Sequence, residues 1–74
     1  MARLVLIKHK EFDNTLATAC LIRYCKQDPI QAEQCAYITY TKGEYAIKED
    51  SLEELTEISE VLNELGFETK VIID

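Results

Sequence analysis

The chain has 74 residues, 47% of them hydrophobic and 30% charged, with a formal net charge of −6. This length holds one domain whose core is too thin to shelter a deep catalytic cavity, and the composition excludes both a disordered chain and a membrane-embedded one. Fourteen acidic against eight basic side chains make it a poor partner for nucleic-acid phosphates, so non-enzymatic protein binding is the expectation.

The stretch Arg3 to His9 carries four consecutive apolar residues between charged ends, which predicts a central strand buried on both faces. A polar loop, Lys10 to Asn14, follows, with Asp13 or Asn14 placed to cap a helix. That helix is predicted over Thr15–Lys26. Its stripe of Leu16, Ala17, Cys20, Leu21 and Tyr24 is widened by Ala19, Ile22 and Cys25. A helix apolar over more than half its girth is either sandwiched or offered to a partner.

Asp28 before Pro29 is a helix start, with Gln31 in the capping-box position. This second helix is predicted to reach Thr41, and its stripe of Ala32, Cys35, Ala36 and Thr39 is small enough for close helix approach. Gly43 suits its left-handed end. Glu44–Lys48 reads as a short strand with Tyr45 and Ile47 on one face.

Ser51 and Glu54 form the clearest capping box, opening a third helix to about Leu65. Leu52, Leu55, Ile58, Leu62 and Leu65 make its buried stripe. Glu53, Glu57, Glu60 and Glu64 make a second stripe with no lysine four residues on. Gly66 stops the helix, and Phe67–Ile73 is the last strand. The order β-α-α-β-α-β predicts an α+β two-layer sandwich, with three helices on one face of a three-stranded sheet.

Charge is segregated along the chain. Residues 1–40 hold five basic and four acidic side chains, whereas residues 41–74 hold three basic and ten acidic. Three cysteines without a C-x-x-C, and a single histidine, point away from a disulfide framework or a metal site, so no metal and no cofactor are expected. Reduced, buried thiols fit a cytoplasmic protein. No run is long and apolar enough for a membrane span, and no leader pattern precedes the first strand.

The element order and several local matches give the chain a likeness to a known family. Leu4 to Ile7 matches a first strand, Phe12 to Gly43 a two-helix span, Gly43 to Ile47 a returning strand, and Ser51 the cap of a last helix. On these the chain resembles the Clp protease adaptor (ClpS) core, a fold shared with the C-terminal domain of the bacterial ribosomal stalk protein. The stalk-domain likeness is best from Asp50 to Val71. The resemblance implies a protein-binding module, with a Clp-type chaperone among its candidate partners and Glu53 at an acidic chaperone-contacting position. The family's N-degron motif is not retained. Lys8, His9 and Lys10 stand where it has Asn-Asp-Asp, Tyr40 stands where it has a histidine, and Asp13-Asn14-Thr15 replaces Thr-Pro-Met.

Two surfaces are candidate protein-binding sites. Lys8, His9, Lys10 and Tyr40 form a recognition edge suited to a carboxylate or an acidic peptide. Glu53, Glu57, Glu60 and Glu64 suit a basic partner. The competing reading of the two sets is a solvated strand end and a solvated helix face. His9 has no nucleophile or orienting group beside it in the sequence, so no catalytic residue is assigned. The alternative function is an interaction or assembly domain that uses helix faces, as a monomer or a homodimer.

Overall fold

Leucine and β-branched residues crowd the start of the chain, and the fold is built on them. The computed structural model describes residues 1–73 and runs β1 (Ala2–Ile7), α1 (Asn14–Tyr24), α2 (Pro29–Lys42), β2 (Glu44–Asp50), α3 (Leu52–Glu64) and β3 (Glu68–Ile73). The sheet order is β2-β1-β3, with β1 antiparallel to both neighbours. β2 and β3 therefore run parallel to each other, joined by α3 and separated by β1.

Ala2, Leu4 and Leu6 point into the core, where they meet Ala17, Cys20 and Leu21 of α1, Ala32, Cys35 and Ala36 of α2, and Leu55, Ile58 and Leu62 of α3. All three helices thus pack on one face, and the α+β sandwich is two-layered. Val5 points to the opposite face, which has no helix, yet it is only 4% exposed. Its register partner Lys70 on β3 reaches across β1 to Glu44 on β2, with Nζ 3.4 Å from Oε2. Expected burial of β1 on both faces is met on this side by neighbouring side chains instead of a second layer.

Each helix starts on a short acceptor that satisfies free N–H groups of its first turn. Asp13 Oδ1 accepts from Leu16 N at 3.0 Å, Asp28 Oδ1 from Gln31 N at 2.9 Å, and Ser51 Oγ from Glu54 N at 3.2 Å. The Ser51 N–H donates to the carboxylate of Asp50 at 2.7 Å, so Asp50 takes the return role expected of Glu54. α3 ends in a Schellman arrangement: Gly66 has φ 97°, its N–H donates to Asn63 O, and Phe67 N–H donates to Leu62 O. Phe67 and Leu62 are both buried, which is the apolar contact that accompanies this motif.

Several expectations needed correction. α1 ends at Tyr24 instead of Lys26, because Lys26 takes a left-handed φ of 60°. β1 stops at Ile7, leaving Lys8 and His9 outside the strand, and α2 runs one residue further, to Lys42. β2 extends to Asp50 and carries a bulge where the register shifts between Leu4 and Val5. Tyr45, opposite the core residue Leu6, and Ile47 lie on the helix-covered face as expected, with Ile47 buried and Tyr45 exposed. The apolar stripes are shorter than predicted, since Leu16, Leu52 and Leu65 at or near helix ends are exposed.

The three thiols are free and buried in the core. Burial pushes Cys25 from the ordinary thiol value up to about 11, with Lys48 opposing and Cys35 and Cys20 adding to the rise. Cys20 and Cys35 are also raised by burial. The unfolded chain releases the Cys25 proton near pH 9, while the folded chain holds it to about pH 11. The folded state binds more protons in that window, so stability falls as pH rises through it. Urea unfolding at stepped pH should show this slope, and Cys25→Ala should flatten it; an unchanged slope would contradict the assignment.

Candidate functional site

The C-terminal end of β1 leads into the loop that holds three of the sequence-predicted residues. Lys8 N–H donates to Gly43 O at 2.8 Å, which fastens the strand end to the C-terminus of α2. Gly43 has φ 97°, a conformation that suits glycine, and so turns the chain directly from α2 into β2. This closure places the Lys8 ammonium 4.6 Å from the centre of the Tyr40 ring. The two are joined by a cation–π contact worth about 0.5–1 kcal/mol at an exposed site.

His9 is turned towards α3. Its Nδ1 accepts from the Glu11 N–H at 3.0 Å, so the ring proton lies on Nε2, which donates to Gly66 O at 2.7 Å. The ring also meets Phe12 edge-on at 6.5 Å between centroids, and Phe12 meets Phe67 at 5.8 Å. Both ring nitrogens are thus engaged by the chain's own backbone. His9 pins the loop to the end of α3, and Lys8 and Tyr40 are the paired, exposed side chains of this edge. Lys10 stands exposed in the turn that follows.

Glu53, Glu57, Glu60 and Glu64 are all exposed along α3, and none enters an ion pair among the described residues. Glu53 lies in the first turn, where the helix dipole favours a carboxylate. Glu64 lies in the last turn, which has no basic residue, and its like-charged neighbour Glu60 is four residues back. Such pairs destabilise a helix by about 0.2–0.5 kcal/mol each. The stripe is a continuous anionic surface, on a different helix from Tyr40.

A feature not singled out in the sequence lies between α1 and α2. The two helices leave an open groove of about 550 Å³, lined by Asn14, Thr15, Thr18, Ala19 and Ile22 on α1 and by Glu33, Ala36 and Tyr37 on α2. Ala19 and Ala36 form a shallow floor between Ile22 and Tyr37. Thr18 and Asn14 bring polar groups to one end, though the Thr18 hydroxyl already donates to Asn14 O at 2.8 Å. Tyr40 lies one turn beyond Ala36 and Tyr37, and a helix places it on the same side. The groove therefore leads towards the Lys8–Tyr40 contact. Its signal in the sequence was the wide apolar girth of α1, whose outer members Ala19 and Ile22 form part of this lining.

No protein-family model matches the chain, and no curated protein matches it. No helix is long and apolar enough to cross a membrane among the described residues. Among the same residues no group of three His, Cys, Asp or Glu side chains is placed to hold a metal.

The His9 contacts can be tested directly. His9→Ala removes two hydrogen bonds and a ring contact, and should cost about 1–3 kcal/mol in urea unfolding with the slope m unchanged. A variant as stable as the parent would show that His9 does not pin the loop.

Proposed function

We propose that the protein is a small, non-enzymatic binding module, resembling a Clp protease adaptor with an altered recognition edge. In this reading the α1–α2 groove takes an apolar side chain of a partner peptide, and Lys8 on the Tyr40 ring meets a carboxylate of the same peptide. The supporting observations are the apolar groove floor and, one helical turn beyond its Tyr37 end, the Lys8 ammonium over the Tyr40 ring. Lysines here would repel a free α-amino group, so the favoured ligand differs from the family's N-degron. A Clp-type chaperone is the candidate second partner, with the glutamate stripe giving salt-sensitive attraction to a basic surface. A cytoplasmic setting belongs to the same reading.

A second reading is an interaction or assembly domain like the stalk-protein domain, binding a partner or itself through the α1 and α2 faces. The exposure of Ile30 (71%) and Tyr37 (64%) favours it. Sedimentation equilibrium separates the two, because an assembly domain should dimerise and a peptide-binding module should stay monomeric.

Peptide display on the immobilised protein tests the first reading. Selected sequences should combine an apolar side chain with a carboxylate. Lys8→Ala with Lys10→Ala should weaken the best of them about tenfold, as expected for two lost charge contacts. Ala19→Trp fills the groove from an exposed position and should abolish binding. Undiminished binding by both variants would exclude this surface.

A further inference from the structure

The α1–α2 groove has a carboxylate in its lining and an ammonium beyond its far end. Glu33 is the one charged residue that lines it. It is exposed, and among the described residues it enters no ion pair. Nothing basic stands one turn away on α2, where Pro29, Ile30, Ala36 and Tyr37 occupy those positions. Across the groove α1 offers no charge either, and the Arg23 guanidinium lies 5.6 Å from the centre of the Tyr24 ring. The Glu33 carboxylate is therefore left without a cation.

Glu33, Ala36, Tyr37 and Tyr40 follow one another at helical spacing and form one stripe on α2. Seven residues separate Glu33 from Tyr40, which is about 10 Å along the axis. At that far end the Lys8 ammonium stands over the Tyr40 ring. Along this length the surface runs from an anion, over a small apolar floor and an aromatic wall, to a cation.

This order favours one kind of occupant. A helix laid along the groove carries its own stripe of positions i, i+3, i+4 and i+7, of the same length. An acidic helix meets Glu33 with like charge, and a basic helix does the same at Lys8. One acidic and one basic side chain seven residues apart answer both ends. Within such a helix the acid is favoured towards the N-terminus and the base towards the C-terminus. The segment then lies antiparallel to α2, with its acid at Lys8 and its base at Glu33. Arginine suits the second position, because its stem covers apolar surface and its planar head stacks on a ring such as Tyr37. A second copy of the chain would bring a further net charge of −6 against the first, which a short segment need not.

We propose that the groove takes a helical segment with glutamate at position i, apolar side chains at i+3 and i+4 and arginine at i+7, and that Glu33 selects the arginine. This rests on the peptide-binding reading of the groove and adds the charge order of the ligand. The test titrates a capped, alanine-based peptide of that pattern into the ¹⁵N-labelled protein. Amide shifts should concentrate on residues 14–22 and 33–40. Arginine→glutamine in the peptide and Glu33→Gln in the protein should each weaken binding about threefold. Combining the two should cost no more than either alone, because both remove one contact. Moving the arginine to i+5, off the stripe, should match its loss. Glu33→Lys should bind the parent peptide more weakly still, and a peptide with glutamate at i+7 should restore its binding.

Failure of the charge order is separable from failure of the groove. Equal binding of the arginine and glutamine peptides, with groove shifts kept and binding weakened by Lys8→Ala, would overturn the role of Glu33 and leave the groove reading intact. Absence of groove shifts at millimolar peptide would overturn both. Groove shifts that follow protein concentration without peptide would give the surface to a second copy and overturn the proposal.

Discussion

The double pairing of β1 is the constraint on which the rest of this protein depends. One six-residue strand sets the register of both neighbours, and three of its side chains, Ala2, Leu4 and Leu6, line the core that all three helices share. Its end also sets the geometry of the candidate site. Lys8 is fastened to Gly43, and His9 to Gly66, so the ends of α2 and α3 are gathered at one loop. A change in how β1 pairs would move the core and the candidate site together.

A sheet covered on one face leaves a small chain with apolar surface to dispose of. Here the uncovered face is closed locally by the Lys70–Glu44 pair above Val5, and the outer strands carry charge. Of the exposed large apolar residues, Leu16, Ile22, Ile30, Tyr37 and Tyr40 lie on α1 and α2, while Met1, Tyr45, Leu52, Leu65 and Ile73 are spread over the rest of the molecule. On α1 and α2 the inner stripes of small residues allow close packing, and the outer positions stay exposed. The acidic stripe of α3 is separate from both, which gives the molecule an apolar side with a lysine at its end and a strongly anionic side.

Much of the fold was legible because its local signals agree with one another. Asp28-Pro29, Ser51, Gly43 and Gly66 mark helix ends through backbone requirements that hold in any fold, and the structure uses all four. The stripe Ala32, Cys35, Ala36 and Thr39 is buried throughout, since α2 packs against neighbours along that face. What was missed depends on tertiary contacts. Nothing local announces the bulge that leaves Ile47 unpaired between Ala46 opposite Val5 and Lys48 opposite Leu4. Lys26 looks like a helical residue until its left-handed turn delivers Gln27 to β2. Of the candidate edge, the nearness of Tyr40 to the Lys8–Lys10 segment was expected, but the stacking of Lys8 on its ring and the turning of His9 towards Gly66 require knowing where α2 and α3 end in space.

Native-state hydrogen exchange tests the central role of β1 most directly. The amides of residues 3–7, with that of Lys8, should exchange last and only through global unfolding, at the free energy that urea denaturation reports. Exchange of the Lys8 amide should match that of Leu4 and Leu6, since the strand and the Gly43 contact form one unit. If the β1 amides instead exchange through local opening while those of α2 or α3 remain protected, the core and the candidate site do not depend on this strand.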